Sequence, residues 1–124
     1  MPKPGVRTQT ATSPVQILFN VQYQLSLSCR VSPTGVTANA DGKKIVPAGT
    51  PLYGDVNNRD TDFTVAGTTV AGILLHATDV TDGINNAACL TFGFVNLNRL
   101  DTATQAKITS AVKTALPMVQ FLKG

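Results

Sequence analysis

Apolar and polar residues alternate almost without interruption from Val15 to Ser32. Val15, Ile17, Phe19, Val21, Tyr23, Leu25, Leu27, Cys29 and Val31 hold the odd positions, Gln16, Asn20, Gln22, Gln24, Ser26, Ser28, Arg30 and Ser32 the even ones, and Leu18 alone breaks the rule. Alternation of this kind sends successive side chains to opposite sides of an extended backbone, so the stretch predicts a strand with one apolar face. Its length is a problem in itself. Residues 15–31 at about 3.4 Å each would span roughly 55 Å, wider than a domain of this chain length. Either the strand bends and changes sheets, or part of it projects from the body.

The two most apolar runs lie further on, at Ala71–Val80 and Ala87–Leu97, separated by the turn-rich connector Thr81–Asn86. Each has strand-like length and flanking turn residues. The connector suits antiparallel neighbours and is too short for a parallel crossover, which needs about a dozen residues or more. Apolar residues fall on both parities: Ile73 and Leu75 against Leu74 and Val80, and Leu90, Phe92 and Phe94 against Cys89 and Val95. Both faces of this pair are therefore expected to be covered, with the pair at the centre of one β-rich domain.

Pro33–Gly35 and Asn39–Gly42 are turn signals that close a short piece at Val36–Ala38. Lys43–Val46 leads into Pro47-Ala-Gly-Thr-Pro51 and then Leu52–Val56, which reads as a kinked strand or a corner at a sheet edge. Residues 57–70 read as a polar surface loop with a short strand at Phe63–Ala66. After the central pair the period changes. Thr102-x-x-Gln105 fits a capping box, Asp101 adds a carboxylate at the helix start, and Ile108, Ala111, Val112, Ala115 and Leu116 share one helical face. Lys107 and Lys113 point away from that face, and Pro117 ends the run. The prediction is one helix over about 102–116, followed by a closing strand at Met118–Leu122. The fold class expected is mainly β (α+β), with an extended N-terminal arm or strand over 1–35 and a β-rich body over 36–124.

Charge sharpens the reading of the first segment. Residues 1–14 have three prolines and no apolar period, a composition that orders only against something else. Lys3, Arg7 and Arg30 precede any carboxylate, and all seven Asp lie from Asp41 to Asp101. A basic arm on a slightly acidic body points to an acidic partner. Three cations over forty residues make no dense patch, so direct nucleic-acid binding is not expected. The apolar runs are far short of a membrane span, and Met1–Gly5 is not followed by a secretory apolar core. Synthesis in a cytosol with reduced thiols is the expectation. Cys29 and Cys89 are too few and too far apart for a disulfide framework, and a bridge between the two stays open.

Chemistry has little to work with. His76 is the one histidine and there is no glutamate. His76 sits inside an apolar run, three residues before Asp79, where a structural role outweighs a catalytic one. Ser26, Ser28, Ser32 and Ser110 lack a nucleophile-elbow context, and the cysteines lack metal-ligand spacing. Asp79, Asp82, Asn85 and Asn86 offer oxygens for Ca²⁺, but their spacing is that of ordinary turns rather than an EF-hand loop. Gly42-Lys-Lys44 lacks the spacing of a phosphate loop. No catalytic, cofactor-binding or metal-binding residue is expected, and the chain reads as a non-enzymatic module.

Three segments carry a resemblance to a known family. In order they are Asp41-Gly-Lys-Lys-Ile-Val-Pro-Ala-Gly-Thr-Pro-Leu-Tyr-Gly-Asp55, Ala71-Gly-Ile-Leu-Leu-His-Ala-Thr-Asp-Val-Thr-Asp-Gly83 and Phe92-Gly-Phe-Val-Asn-Leu-Asn-Arg-Leu-Asp101. Together they resemble the head decoration, or capsid cement, proteins of tailed bacteriophages. The likeness covers about residues 36–122 and rests on the combined order of the motifs. It implies a compact β-tulip or β-barrel-like domain on the outer surface of the mature head. It also implies contacts with the major capsid protein, frequent assembly as a homotrimer, and no membrane. Under that reading the arm would add to a capsid sheet edge, with Lys3, Arg7, Val15, Ile17 and Phe19 as its partner-binding residues. A carbohydrate-binding or adhesive head-fibre module is the alternative, and Tyr23 and Tyr53 are a thin aromatic supply for it.

Overall fold

The computed structural model describes residues 16–19 and 22–123. Its elements are β1 (Leu25–Val31), β2 (Ile45–Val46), β3 (Pro51–Tyr53), β4 (Val70–Leu74), β5 (Thr78–Asp79), β6 (Asn85–Asn96), a 3₁₀ turn (Leu97–Arg99), α1 (Thr102–Lys107), α2 (Ser110–Ala115) and β7 (Val119–Leu122). The chain is mainly β, with antiparallel sheets and two short helices. The large sheet runs β1-β6-β4-β3, with β7 added alongside the far end of β6, and β2 pairs with β5 in a small second sheet.

β6 is the strand around which the rest is arranged. β1 runs antiparallel along its first part, from Val31↔Asn85 to Leu25↔Phe92. β4 meets its middle at Ile73↔Leu90 and Leu74↔Cys89, so the two apolar runs pair antiparallel as expected. The first run is corrected to end at Leu74, with Thr78–Asp79 leaving for the second sheet and Asn85 and Asn86 of the expected connector belonging to β6. β7 lies parallel to its end, from Gly93↔Val119 to Asn96↔Leu122. The register against β1 slips at Thr91, where Leu25 faces Phe92 but Ser26 faces Leu90. Such a bulge reverses which parity faces which side.

The expected cover on both sides is present as two separate cores. One contains Ile17, Leu18, Ile73, Leu75, Leu90, Val95, Leu100, Ile108, Val112, Leu116 and Val119. The other contains Cys29, Val31, Val46, Leu52, Phe63, Ala71, Leu74, Val80 and Cys89. Neighbours such as Ile73 and Leu74, or Leu90 and Cys89, divide between them, as side chains on a pleated strand must.

The alternating N-terminal segment does not form one strand. Ile17 and Leu18 lie against the end of β6, with a bridge from Leu18 to Val95, a Phe19 amide donating to the Phe94 carbonyl at 2.9 Å and an Asn96 amide donating to the Ile17 carbonyl at 2.8 Å. β1 then begins at Leu25. From Leu18 to Leu25 the segment advances seven positions while β6 recedes three, from Val95 to Phe92, so the two contacts with β6 are not one continuous ladder. Part of the expected N-terminal arm is thus integral to the large sheet, and the core ignores a boundary at residue 35. Leu18, the residue that broke the alternation, is buried beside Ile17.

The single helix expected over 102–116 is corrected to two. Ile108 leaves helical geometry at φ −83°, ψ 81°, and Thr109 starts a second helix by accepting the Val112 amide at its hydroxyl. A threonine hydroxyl competes for backbone donors in this way, which favours caps over helix interiors. The first cap is Asp101 rather than Thr102, with Oδ1 accepting from the Thr104 amide at 2.7 Å, and Gln105 reaches back to the Leu100 carbonyl at 3.0 Å. The buried stripe is narrower than expected. Thr104, Ile108, Val112 and Leu116 face inward, whereas Ala111 and Ala115 are exposed. Phe63 makes one isolated bridge to Val31, and Thr64 one to Tyr53, in place of a strand over 63–66.

Candidate functional site

Three segments far apart in sequence meet at one corner. The Gly49 amide donates to the Leu74 carbonyl at 2.7 Å, the Leu74 amide donates to the Thr50 carbonyl at 2.9 Å, and the Thr50 hydroxyl donates to the Pro47 carbonyl at 2.7 Å. Gly49 has φ +92°, and a Cβ there would stand 2.2 Å from a Leu100 methyl. Only glycine satisfies both the left-handed backbone and the close approach. The corner Pro47–Pro51, strand β4 and the helix approach at Leu100 are therefore fitted to one another.

Among the described residues the candidate chemistry disperses. His76 is exposed beside a depression of about 540 Å³ lined by Ile45, Pro47, Ala48, Ala77, Arg99 and Asp101. Both charged neighbours are engaged elsewhere: Asp101 caps α1, and Arg99 Nη1 donates to the Gln16 carbonyl at 3.0 Å. The Thr104 hydroxyl and amide hold the Asp101 carboxyl below its ordinary range. Asp79 is likewise lowered by the Thr81 hydroxyl and amide, which bond to its Oδ1. Asn85 donates to the Asp79 carbonyl at 3.0 Å and accepts the Asn86 amide at 2.8 Å, so this cluster closes its own turn. No group of three His, Cys, Asp or Glu side chains is placed to hold a metal among the described residues. No described helix is long and apolar enough to cross a membrane.

A surface emerges where the sequence placed an arm. On β1 the odd residues share a face with the second core, and their exposure rises along the strand: Val31 and Cys29 are buried, Leu27 is half-buried, and Leu25 is 52% exposed. Phe92 lies opposite Leu25, and Phe19 lies beside Phe94. Beyond the bulge the parity of β6 places Phe92, Phe94 and Asn96 on this same face, because Val95 belongs to the first core on the other side. The parallel register brings Gln120 beside Phe94 and Leu122 beside Asn96. Phe92, Phe94 and Leu27 belong to neither core, while Phe19 and Leu122 are each 46% exposed. Tyr23 and Met118, both exposed, lie at the adjoining chain positions.

The face owes its position to an unequal cover. Phe63 and the loop that carries it close the second core over Val31 and Cys29 but stop before Leu25. β6, β7 and residues 25–29 of β1 contain no charged residue. An uncharged surface rich in aromatic residues has the composition of an interface core. Of the five residues assigned to an arm, Lys3, Arg7 and Val15 lie outside the described residues. Phe19 belongs to the exposed face. Ile17 is fully buried in the chain's own core and is corrected accordingly. The remaining members, Leu25, Phe92, Phe94 and Leu122, had no distinguishing signal in sequence, since apolar strand residues read as core until the extent of their cover is known. No family model, characterised protein or solved structure matches this chain.

Proposed function

We propose that this protein is a decoration (cement) protein of a tailed-phage head, acting by adhesion rather than catalysis. The uncharged apolar sheet face carries the reading. It is a built docking surface on a small β domain whose described titratable groups converge on no reaction centre. The resemblance motifs support it further, because Pro47–Pro51, β4 and Leu100 meet at one fitted corner. Under this proposal the domain takes the β-tulip arrangement of that family and sits on the outer surface of the head. The face around Phe92 and Phe94 seats on the major capsid protein or on a second copy within a trimer. Residues 1–14, with Lys3 and Arg7, extend along an acidic stretch of a neighbouring capsid subunit.

The test is binding to expanded, undecorated heads, read by co-sedimentation and by density on the capsid surface. Phe92→Asp combined with Phe94→Asp should abolish binding while the far-ultraviolet spectrum stays that of a folded β protein. Deleting residues 1–14 should weaken binding severely and reduce its salt dependence. The truncation must stop there, because Ile17 and Leu18 are core. Binding unaffected by both changes would overturn the docking assignment. Glycan binding without head binding would replace it with the adhesive head-fibre module.

A further inference from the structure

We propose that Cys29 and Cys89 form an oxidation-sensitive dithiol that closes to a disulfide between β1 and β6, with peroxide as the oxidant. The proposal concerns the isolated chain and does not depend on what the sheet face binds.

Both cysteines are free and buried in the second core. They lie on adjacent antiparallel strands and on the same face, with Cys89 opposite Leu27 and Cys29 two residues further along. Both side chains enter the same core from neighbouring positions of the paired strands. The glycine at Gly72 makes room for this arrangement, since a Cβ there would fall 2.4 Å from the Cys89 sulfur. Cys29 also borders a surface depression of about 430 Å³ shared with Arg30, Arg59, Asp60 and Asn86. Arg59 is fixed over the outer edge of β1 by donating from Nη1 to the Ser28 carbonyl at 3.3 Å.

The two thiols are not equivalent. The hydrogen bond from Cys89, followed by the Arg59 guanidinium, holds the Cys29 thiol below its ordinary value against an opposing effect of burial. The bond to Cys29 and burial push the Cys89 thiol up. Cys29 is thus the nucleophile and Cys89 the resolving thiol, and Arg59 favours the thiolate, while Arg30 is paired with Asp62 at 3.5 Å and Asp60 shares the rim. The Cys29 sulfur attacks one peroxide oxygen, the O–O bond breaks, and hydroxide leaves to become water with the proton given up by the thiol. The resulting sulfenic acid is attacked by the Cys89 sulfur. The S–O bond breaks, and the departing hydroxide takes the Cys89 proton as a second water. In sum, two thiols and one hydrogen peroxide give one disulfide and two waters, and an external dithiol reverses the change. Diagonal neighbours on antiparallel strands have Cα atoms about 7–8 Å apart, wider than the roughly 4.4–6.8 Å of a relaxed disulfide. Closure therefore draws the strands together, and the bond formed is readily reduced.

The experiment treats the native protein with one equivalent of hydrogen peroxide, quenches, alkylates under denaturing conditions and maps the peptides by mass spectrometry. The expected result is loss of both thiols and a Cys29–Cys89 linked peptide two hydrogens lighter than the reduced pair, restored by dithiothreitol. Cys89→Ser should stop at a Cys29 sulfenic acid captured by a dione probe, and Arg59→Gln should slow the reaction several-fold. Wild-type mapping decides the main point whether or not the serine variant folds. Retention of both thiols in the native protein, when the unfolded chain reacts, would overturn the proposal, as would linkage only between chains. An unchanged rate in Arg59→Gln would remove Arg59 from the site.

Discussion

The two faces of the large sheet are built from the same strands and end differently. On one side, β4 and β6 residues are roofed by α1, α2, the Leu100 turn, β7 and the returning segment Ile17–Leu18, and the apolar surface is closed. On the other, Phe63 and its loop cover Val31, Cys29, Leu74 and Cys89, and the apolar stripe then runs on with less cover, Phe92 and Phe94 half-buried and Leu25 exposed. Alternation gives each face its apolar residues, but the position of the connecting segments decides whether those residues become core or surface. Cover, more than hydrophobicity, separates core from surface here.

The largest test of this contrast is Val112→Asp. It places an unpaired carboxylate under the helical roof and should cost about 4 kcal/mol, read as a large fall in the melting temperature. Melting within a few degrees of wild type would show that the roof is not closed. Phe63→Ala should follow at about 3 kcal/mol, because Phe63 is the largest fully buried side chain and the main cover of the second core. A cost no greater than that of a surface change would reduce that core to a loosely covered face.

A smaller effect is expected at the helix start, where Asp101→Ala should lose about 1 kcal/mol. The sign with pH follows from the lowered carboxyl. A group whose folded value lies below its unfolded value of about 3.9 stabilises the fold above that pH. The contribution disappears as pH falls through the folded value. The difference in thermal stability between wild type and the neutral cap Asp101→Asn should therefore narrow under acid. A difference that stayed constant would mean the charge does not matter there. At the uncovered end, Leu25→Ser should change stability by less than about 0.5 kcal/mol. The same change at Val31, six residues along the same face, should be strongly destabilising. His76→Gln, exposed and outside both cores, should leave melting and head binding alike. Any turnover that vanished in that variant would defeat the non-catalytic reading.

Sequence pattern made much of this legible, and the misses have physical causes. The antiparallel relation of the two apolar runs and the cover on both their faces followed from run length and parity. The alternation from Val15 raised a bent strand or a projecting one without deciding between them. Ile17 enters one core while Cys29 and Val31 enter the other, because period two reports side-chain direction within one straight strand only. The helix appeared continuous because Ile108, Val112 and Leu116 keep their spacing across the break at Thr109. The exposed sheet face was not separable from core in the sequence, because an overlong strand signals surplus apolar surface without showing which end is covered.

The place of β6 in the sheet bears on how the chain reaches its native state. Its register is completed by Leu25–Val31, some sixty residues before it, and by Val119–Leu122, which follow it beyond both helices. A polypeptide released from its N-terminus onward cannot finish this ladder until β7 arrives. Pairings that span so much sequence slow folding, since distant segments must find β6 before contacts repay the lost freedom. Until then, the edge of β6 that β7 will occupy stands open as a template for aggregation.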